Sequence, residues 1–80
     1  MLFAKYTRPN AGYPEEREQV KKMLTLDAMY PVDYISMGQS FTSVYLRGFD
    51  NYEFNSVNFT FYEDGKDIDI FSDARYNPYL

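Results

Sequence analysis

The sequence predicts a small α+β domain, and the chain length and two hydrophobic periodicities support that prediction. The chain has 80 residues, which is the length of a single domain spanning 1–80. Apolar residues recur at helical spacing once, over about residues 14–25, and at strand spacing in several other runs. We therefore expect an antiparallel sheet of four to five strands with one helix, either as a flat meander with the helix across one face or curled into a partly open, SH3-like barrel.

The helix is marked by its first residue and by the order of its charges. Pro14 suits a first helical turn, because its missing N–H would be unbonded there in any case. Acidic residues come first and basic residues last, which the helix macrodipole favours. These residues are Glu15, Glu16, Glu18, Lys21 and Lys22. Val20, Met23 and Leu24 form an apolar stripe that predicts packing on a sheet.

The first strand is predicted at residues 2–8, and a hairpin follows the helix, with strands at 32–37 and 42–46. A two-residue loop at Gly38-Gln39 would suit the turn chemistry, since glycine tolerates positive φ. A loop at Gln39-Ser40 would instead pair Ile35 with Val44 and Tyr34 with Tyr45. We favour the second register, with a bulge at Gly38, because a one-residue slip would turn the apolar set outward.

A second hairpin is centred on Asp64-Gly65, a dipeptide typical of two-residue turns. Its register predicts three cross-strand pairs, in which the charged pair closes the turn and the apolar residues share one face. The pairs are Glu63 with Lys66, Phe61 with Ile68, and Phe59 with Ile70.

The residue types present exclude most catalytic chemistry. The chain has no His and no Cys, so Ser-His-Asp and Cys-His catalysis and the usual zinc sites are excluded. No Gly-rich run precedes a helix as a phosphate loop requires, and the run EDGKDID lacks the spacing of an EF-hand. Twelve acids permit a carboxylate pair, but a domain of this size hardly forms a catalytic cleft. We expect no enzymatic activity, no metal and no cofactor.

The net charge of −4 is unevenly distributed. Residues 1–40 carry five acids and five bases, whereas residues 41–80 carry seven acids and three bases. An acidic half argues against direct nucleic-acid binding, which needs Lys and Arg to displace counterions. It favours attraction to a basic groove on another protein.

The nine Tyr and seven Phe residues exceed what so small a core can bury, so several Tyr must lie at the surface, where they are typical of interfaces. Tyr34 and Tyr45 are predicted as a cross-strand pair on the face away from the helix, with Tyr30 and Tyr62 near them. Asp67 and Asp69 are predicted to point outward beside Tyr62 and Thr60. The candidate partner-binding residues are Tyr34, Tyr45, Tyr62, Glu63, Asp64, Asp67 and Asp69. The alternative is a solvated strand face with an aromatic pair that only stabilises the sheet.

Two runs, MGQSFTSVYL and FNSVNFTFYEDGKDIDIF, carry the pattern Gly-x-Ser-x-Thr-x-Val-x-Leu followed by Phe-Asn-Ser-Val-x-Phe. This pattern resembles small proteins of phages and mobile elements in Gram-positive bacteria, which implies a setting more than a function. As structure, Asn55 and Ser56 are expected to bond nearby backbone while Phe54, Val57 and Phe59 pack.

Taken together, these features favour a noncatalytic protein-binding module of a phage or mobile element that docks on a host or element-encoded protein. A sharper form is an acidic inhibitor of a basic host defence nuclease, similar in action to an anti-CRISPR protein. The alternative is a structural or virion-assembly subunit that self-associates; the sequence leaves the oligomeric state open. No apolar run approaches the roughly 20 residues that span a bilayer, so we expect a soluble, cytoplasmic protein without membrane contact.

Overall fold

The computed structural model describes all residues, 1–80. Its single helix α1 and six strands are α1 (Pro14–Met23), β1 (Leu2–Tyr6), β2 (Met29–Met37), β3 (Thr42–Leu46), β4 (Phe54–Asn55), β5 (Phe59–Glu63) and β6 (Lys66–Ile68). The strands form one antiparallel sheet in the order β4-β3-β2-β1-β5-β6. The α+β prediction with one helix is confirmed, but the sheet has six strands instead of four to five. With β4 and β6 as its two edges, the sheet is open.

The β2–β3 hairpin has the register that the apolar pattern favoured. Tyr34 pairs with Tyr45 and Ile35 with Val44, and the Gly38 N–H donates to the Phe41 carbonyl at 2.9 Å. The predicted loop at residues 39 and 40 is therefore confirmed. The register shift lies between Val32 and Tyr34 and not at Gly38, because the hairpin closes at Gly38 without an extra residue.

The β5–β6 hairpin confirms two of the three predicted pairs, Glu63 with Lys66 and Phe61 with Ile68. The third, Phe59 with Ile70, is wrong because β6 ends at Ile68. Ile70 begins a 3₁₀ turn over Ile70–Ser72, yet it remains buried at 1% exposure. The chain thus leaves the sheet edge and turns the isoleucine into the core from a different backbone conformation.

The core lies between α1 and one face of the sheet. Strand β1 contributes the alternating buried residues Leu2, Ala4 and Tyr6, and the helix contributes Val20 and Leu24. The remaining core residues are Val32, Val44, Leu46, Phe54, Phe59, Phe61 and Ile70. The helix ends at Met23, two residues before the predicted end, and Leu24 adopts an extended conformation while its N–H still donates to the Val20 carbonyl.

The second face of the sheet has no helix on it. Cross-strand register places Asp67, Tyr62, Phe3 and Pro31 in one row across β6, β5, β1 and β2. All four are half-buried or exposed. We call this side of the sheet the open face.

A second 3₁₀ turn, Ser56–Asn58, leads from β4 into β5. The Asn55 side chain accepts the Val57 N–H at 3.2 Å, so the predicted bond from Asn55 to nearby backbone is confirmed. Phe54 and Phe59 are buried, but the prediction that Val57 packs is wrong, because Val57 is 42% exposed. The turn places Val57 at the surface and buries its two neighbours, Ser56 and Asn58.

Candidate protein-binding site

Tyr34 and Tyr45 form a stacked pair on the open face. Their ring centroids lie 4.4 Å apart and the rings are 11° from parallel. Tyr34 is 57% exposed and Tyr45 is half-buried. The register of β2 and β3 sets the two residues directly opposite each other, so the pair presents a flat aromatic surface to solvent.

Carboxylates surround this pair. The Tyr45 hydroxyl donates to Glu53 Oε2 at 3.2 Å. Asp33 and Asp50 line a shallow pocket of about 360 Å³ together with the two rings. Partial burial and the nearby Glu53 carboxylate raise the pKa of Tyr45, so its hydroxyl stays protonated and remains a donor.

Arg47 lies at the same edge and pairs with Asp33, with 3.8 Å between Nε and Oδ1. Both side chains are about half exposed, and exposed pairs at this distance contribute little, about 0–1 kcal/mol. The carboxylate of Asp33 is therefore free to exchange this contact for one with a partner.

Three acids near the stack, Asp33, Asp50 and Glu53, were not among the residues predicted to bind a partner. Asp33 reaches the stack because the register shift between Val32 and Tyr34 inserts it into β2. Asp50 and Glu53 lie in the segment between β3 and β4, and β4 has only two residues. Recognising that short strand would have shown that the segment returns beside Tyr45.

Tyr62 and Asp67 form a second group on the open face, since they are directly opposite each other in β5 and β6. The Lys5 ammonium lies 6.0 Å from the centroid of the Tyr62 ring. Phe3 and Pro31 continue the row from Tyr62 toward β2. The row from Tyr62 to Pro31 is thus aromatic or apolar, with Asp67 at its β6 end and the Lys5 ammonium beside it.

Two of the predicted acids are engaged inside the protein. Glu63 accepts hydrogen bonds from Arg75 at 2.6 Å and from the Tyr76 hydroxyl at 3.1 Å. The hydrogen bond from Arg75 is the main cause that lowers the pKa of Glu63. Asp69 accepts the Phe71 N–H and the Ser72 hydroxyl, both at 2.9 Å, and so begins the 3₁₀ turn. Asp69 is exposed, as predicted, but the expectation that it lies on a strand is wrong, because β6 ends at Ile68.

Asp64 and Tyr30 complete the set of predicted residues. Asp64 is exposed in the β5–β6 turn, with an oxygen 4.0 Å from the N-terminal ammonium. Tyr30 pairs with core residue Ala4 across β1 and β2, packs edge-on against Phe49 and accepts the Thr25 N–H at 2.8 Å. The prediction that Tyr30 accompanies Tyr34 and Tyr45 is therefore wrong, because the register places it on the core side.

The structure also bears on ligands and membranes. No three carboxylates come together in a group that could hold a metal ion. The helix has ten residues, and the chain contains no helix with the length and apolar character needed to cross a bilayer.

The fold and the open face define a small α+β domain whose exposed sheet side is aromatic and acidic. Residues 1–80 match the family model described as Bacteriophage T4 protein Y07B, and the chain belongs to this family of phage proteins. Comparisons with curated proteins and with solved structures give no match. The phage setting implied by the sequence pattern is confirmed; the Gram-positive setting is not.

Proposed function

We propose that this phage protein is a noncatalytic binding module that docks on a basic surface of another protein, encoded by the host or by the phage. The stacked, exposed pair of Tyr34 and Tyr45 is the observation that carries the proposal. Rigid tyrosines supply contact area at interfaces with little loss of side-chain freedom. Such residues are enriched among those that dominate binding energy.

The carboxylates around the stack favour a basic partner. An arginine guanidinium can lie flat on an aromatic ring while its N–H groups bond neighbouring carboxylates. Tyr34 offers the exposed ring, and Asp33 and Asp50 offer carboxylates in the same shallow pocket. This arrangement supports recognition of an arginine-bearing surface.

The sharper form of the proposal is inhibition of a host defence nuclease, in the manner of an anti-CRISPR protein. The net charge of −4 and the exposed acids of the open face support it, because a basic nucleic-acid groove attracts an acidic surface. In this form the protein occupies the groove and excludes the nucleic acid, so inhibition weakens as salt rises.

The test begins with affinity capture from phage-infected cells and continues with the purified partner. Tyr34→Ser with Tyr45→Ser, and separately Asp50→Lys, should weaken binding about tenfold or more. Leu26→Ser is the control for the first change, since Leu26 is 54% exposed in the turn before β2. Glu15→Lys is the control for the charge reversal, because Glu15 is exposed on α1.

Three results would refute parts of this proposal. Binding that both site variants leave unchanged would rule out the Tyr34–Tyr45 surface. Affinity that does not depend on salt would rule out a basic groove as the target. Concentration-dependent assembly in sedimentation, lost in the tyrosine variant, would replace docking on another protein with a self-associating structural subunit.

A further inference from the structure

A groove of about 730 Å³ lies where four segments of the chain meet. These are the loop before α1, the β2–β3 hairpin, the turn at Ser56–Asn58 and the C-terminal segment. The groove shares no residue with the pocket at Tyr34 and Tyr45. Its volume falls in the range of about 300–1,000 Å³ that is typical of small-ligand pockets.

Exposed apolar side chains are concentrated around this groove. Tyr13 is 65% exposed, Tyr79 58%, Phe71 48% and Val57 42%. These four are among nine large apolar side chains that the whole chain exposes, and all four line the groove. Such a concentration of apolar side chains is typical of a binding surface, and each of the three aromatic rings offers a flat face on which a ligand can stack.

The polar lining is entirely uncharged. No Asp, Glu, Lys or Arg lines the groove, although 25% of the residues in the chain are charged. A phosphate, carboxylate or ammonium group placed there would lose hydration without gaining an ionic partner, which is costly. The lining therefore selects a neutral ligand.

Two side chains of the lining, Ser56 and Thr42, have hydroxyl groups that make no hydrogen bond within the protein. Ser56 is 5% exposed and Thr42 is 6% exposed, and neither side chain is hydrogen-bonded within the protein. The only unpaired side-chain polar atom that is wholly enclosed belongs to Tyr6, so these two hydroxyls are not sealed into the core. Each hydroxyl is therefore reached from the groove, where a ligand hydroxyl can take the place of water as its hydrogen-bond partner.

Amide groups extend the same chemistry. Asn55 uses its oxygen for the Val57 N–H, which leaves its NH₂ group as a donor beside the groove. Gln39 and Ser40, at the exposed tip of the β2–β3 hairpin, also line it. Amides and hydroxyls both donate and accept, as recognition of a hydroxyl-rich molecule requires.

We propose that this groove binds a neutral carbohydrate of one or two sugar rings. A pyranose has an apolar C–H face that stacks on an aromatic ring and hydroxyls that point outward from its edge. Tyr79 and Phe71 provide the stacking surface, and Ser56, Thr42 and Asn55 provide hydrogen bonds. The sugar can be free or part of a larger glycan, since both present the same chemistry.

The test is titration of the intact protein, followed by ¹⁵N–¹H NMR, with glucose, galactose, mannose, N-acetylglucosamine, maltose, thymidine and a neutral tetrapeptide. At least one sugar should shift the amide signals of residues around Ser56, Phe71 and Tyr79 with millimolar affinity. An immobilised glycan panel then shows whether the ligand is a free sugar or part of a larger glycan. A protein that takes free sugars binds them in the titration, whereas one that needs a glycan binds only the immobilised, polymer-linked sugars. Either result supports the proposal.

Variants connect the signal to the groove. Ser56→Ala removes one unpaired hydroxyl without a change of shape and should weaken sugar binding about fivefold; Tyr79→Ala should weaken it at least as much. Leu26→Ser should leave it unchanged. The proposal is overturned if no sugar or glycan binds, if the tetrapeptide or thymidine binds there instead, or if Ser56→Ala and Tyr79→Ala both bind as the unsubstituted protein does.

Discussion

The side-chain amide of Asn58 donates to the carbonyl of Arg8 at 2.8 Å. The same nitrogen donates to the Ala11 carbonyl at 3.0 Å. The backbone carbonyl of Asn58 accepts the N–H groups of Thr7 and Arg8, both at 3.1 Å. Asn58 is only 3% exposed. One residue at the end of the 3₁₀ turn before β5 therefore holds the loop that leads from β1 to the helix.

Asn58→Ala should lower the free energy of unfolding by about 1–3 kcal/mol, because two carbonyl groups would lose their donor. Urea unfolding followed by far-UV circular dichroism measures the change. Asn10→Ala is the matched control, since Asn10 is exposed and should change stability by less than about 0.5 kcal/mol. Equal effects of the two substitutions would show that the Asn58 amide does not hold the loop.

Tyr6 presents the opposite situation, a buried hydroxyl with no partner. Its side chain is 1% exposed, the hydroxyl makes no hydrogen bond, and burial, with the Glu18 charge, raises the pKa of Tyr6. Tyr6→Phe removes a group that folding desolvates without compensation. Stability should therefore stay the same or rise by up to about 1 kcal/mol.

Tyr76→Phe is the comparison for Tyr6→Phe. The Tyr76 hydroxyl donates to Glu63, so its removal should lower stability by about 0.5–1.5 kcal/mol. Thermal and urea unfolding of the two variants provide the measurement. A clear loss of stability in Tyr6→Phe would mean that this hydroxyl is bonded in the folded state.

Position 38 requires glycine because the hairpin leaves no room for a Cβ atom there. A Cβ at this position would lie 2.8 Å from the backbone oxygen of Phe41, the oxygen that accepts the Gly38 N–H. Gly38→Ala should therefore force the hairpin apart and lower stability by about 1–3 kcal/mol. Gln39→Ala, in the same hairpin, should have almost no effect; comparable losses in urea unfolding would contradict the steric explanation.

Local signals in the sequence predicted much of the fold because they agreed with one another. At the β5–β6 turn, Asp64-Gly65 and the alternating apolar residues indicated one register, and Asp64 and Gly65 both have the positive φ that such a turn requires. In the β2–β3 hairpin the apolar pattern outweighed the glycine, since burial of Val44 fixes the register.

The parts that could not be predicted depend on long-range contacts. Strand β4 has two residues and gives no periodic signal. In the sequence, Ile68, Asp69 and Ile70 continue the alternation of apolar and polar residues. In the structure the chain has left the sheet by Asp69, which caps the 3₁₀ turn that begins at Ile70. The acids around Tyr45 are separated from it along the chain, and only the return of the 47–53 segment brings Glu53 to its hydroxyl.

Arg75 connects the C-terminal segment to the sheet and should make stability depend on acid. Its guanidinium bonds Glu63 and Asp73, each at 2.6 Å. Hydrogen bonds from Arg75 are the main cause that lowers the pKa of both carboxyls in the folded state. Unfolding breaks the hydrogen bonds from Arg75 to the two carboxyls, so these carboxyls take up protons at a higher pH in the unfolded chain than in the folded chain.

Stability from these two carboxylates is therefore present above their ordinary pKa values of 4.5 and 3.8, and it is lost as the pH falls through the lower folded values. Arg75→Gln should be less stable than the parent at pH 7, and the difference should shrink toward pH 3. Urea unfolding at pH 7, 5, 4 and 3 measures it. Arg47→Gln removes the same charge from an exposed pair with Asp33 at 3.8 Å and should cost little at pH 7. If the stability deficit of Arg75→Gln is the same at every pH, packing of the arginine and not its ion pairs holds the C-terminal segment.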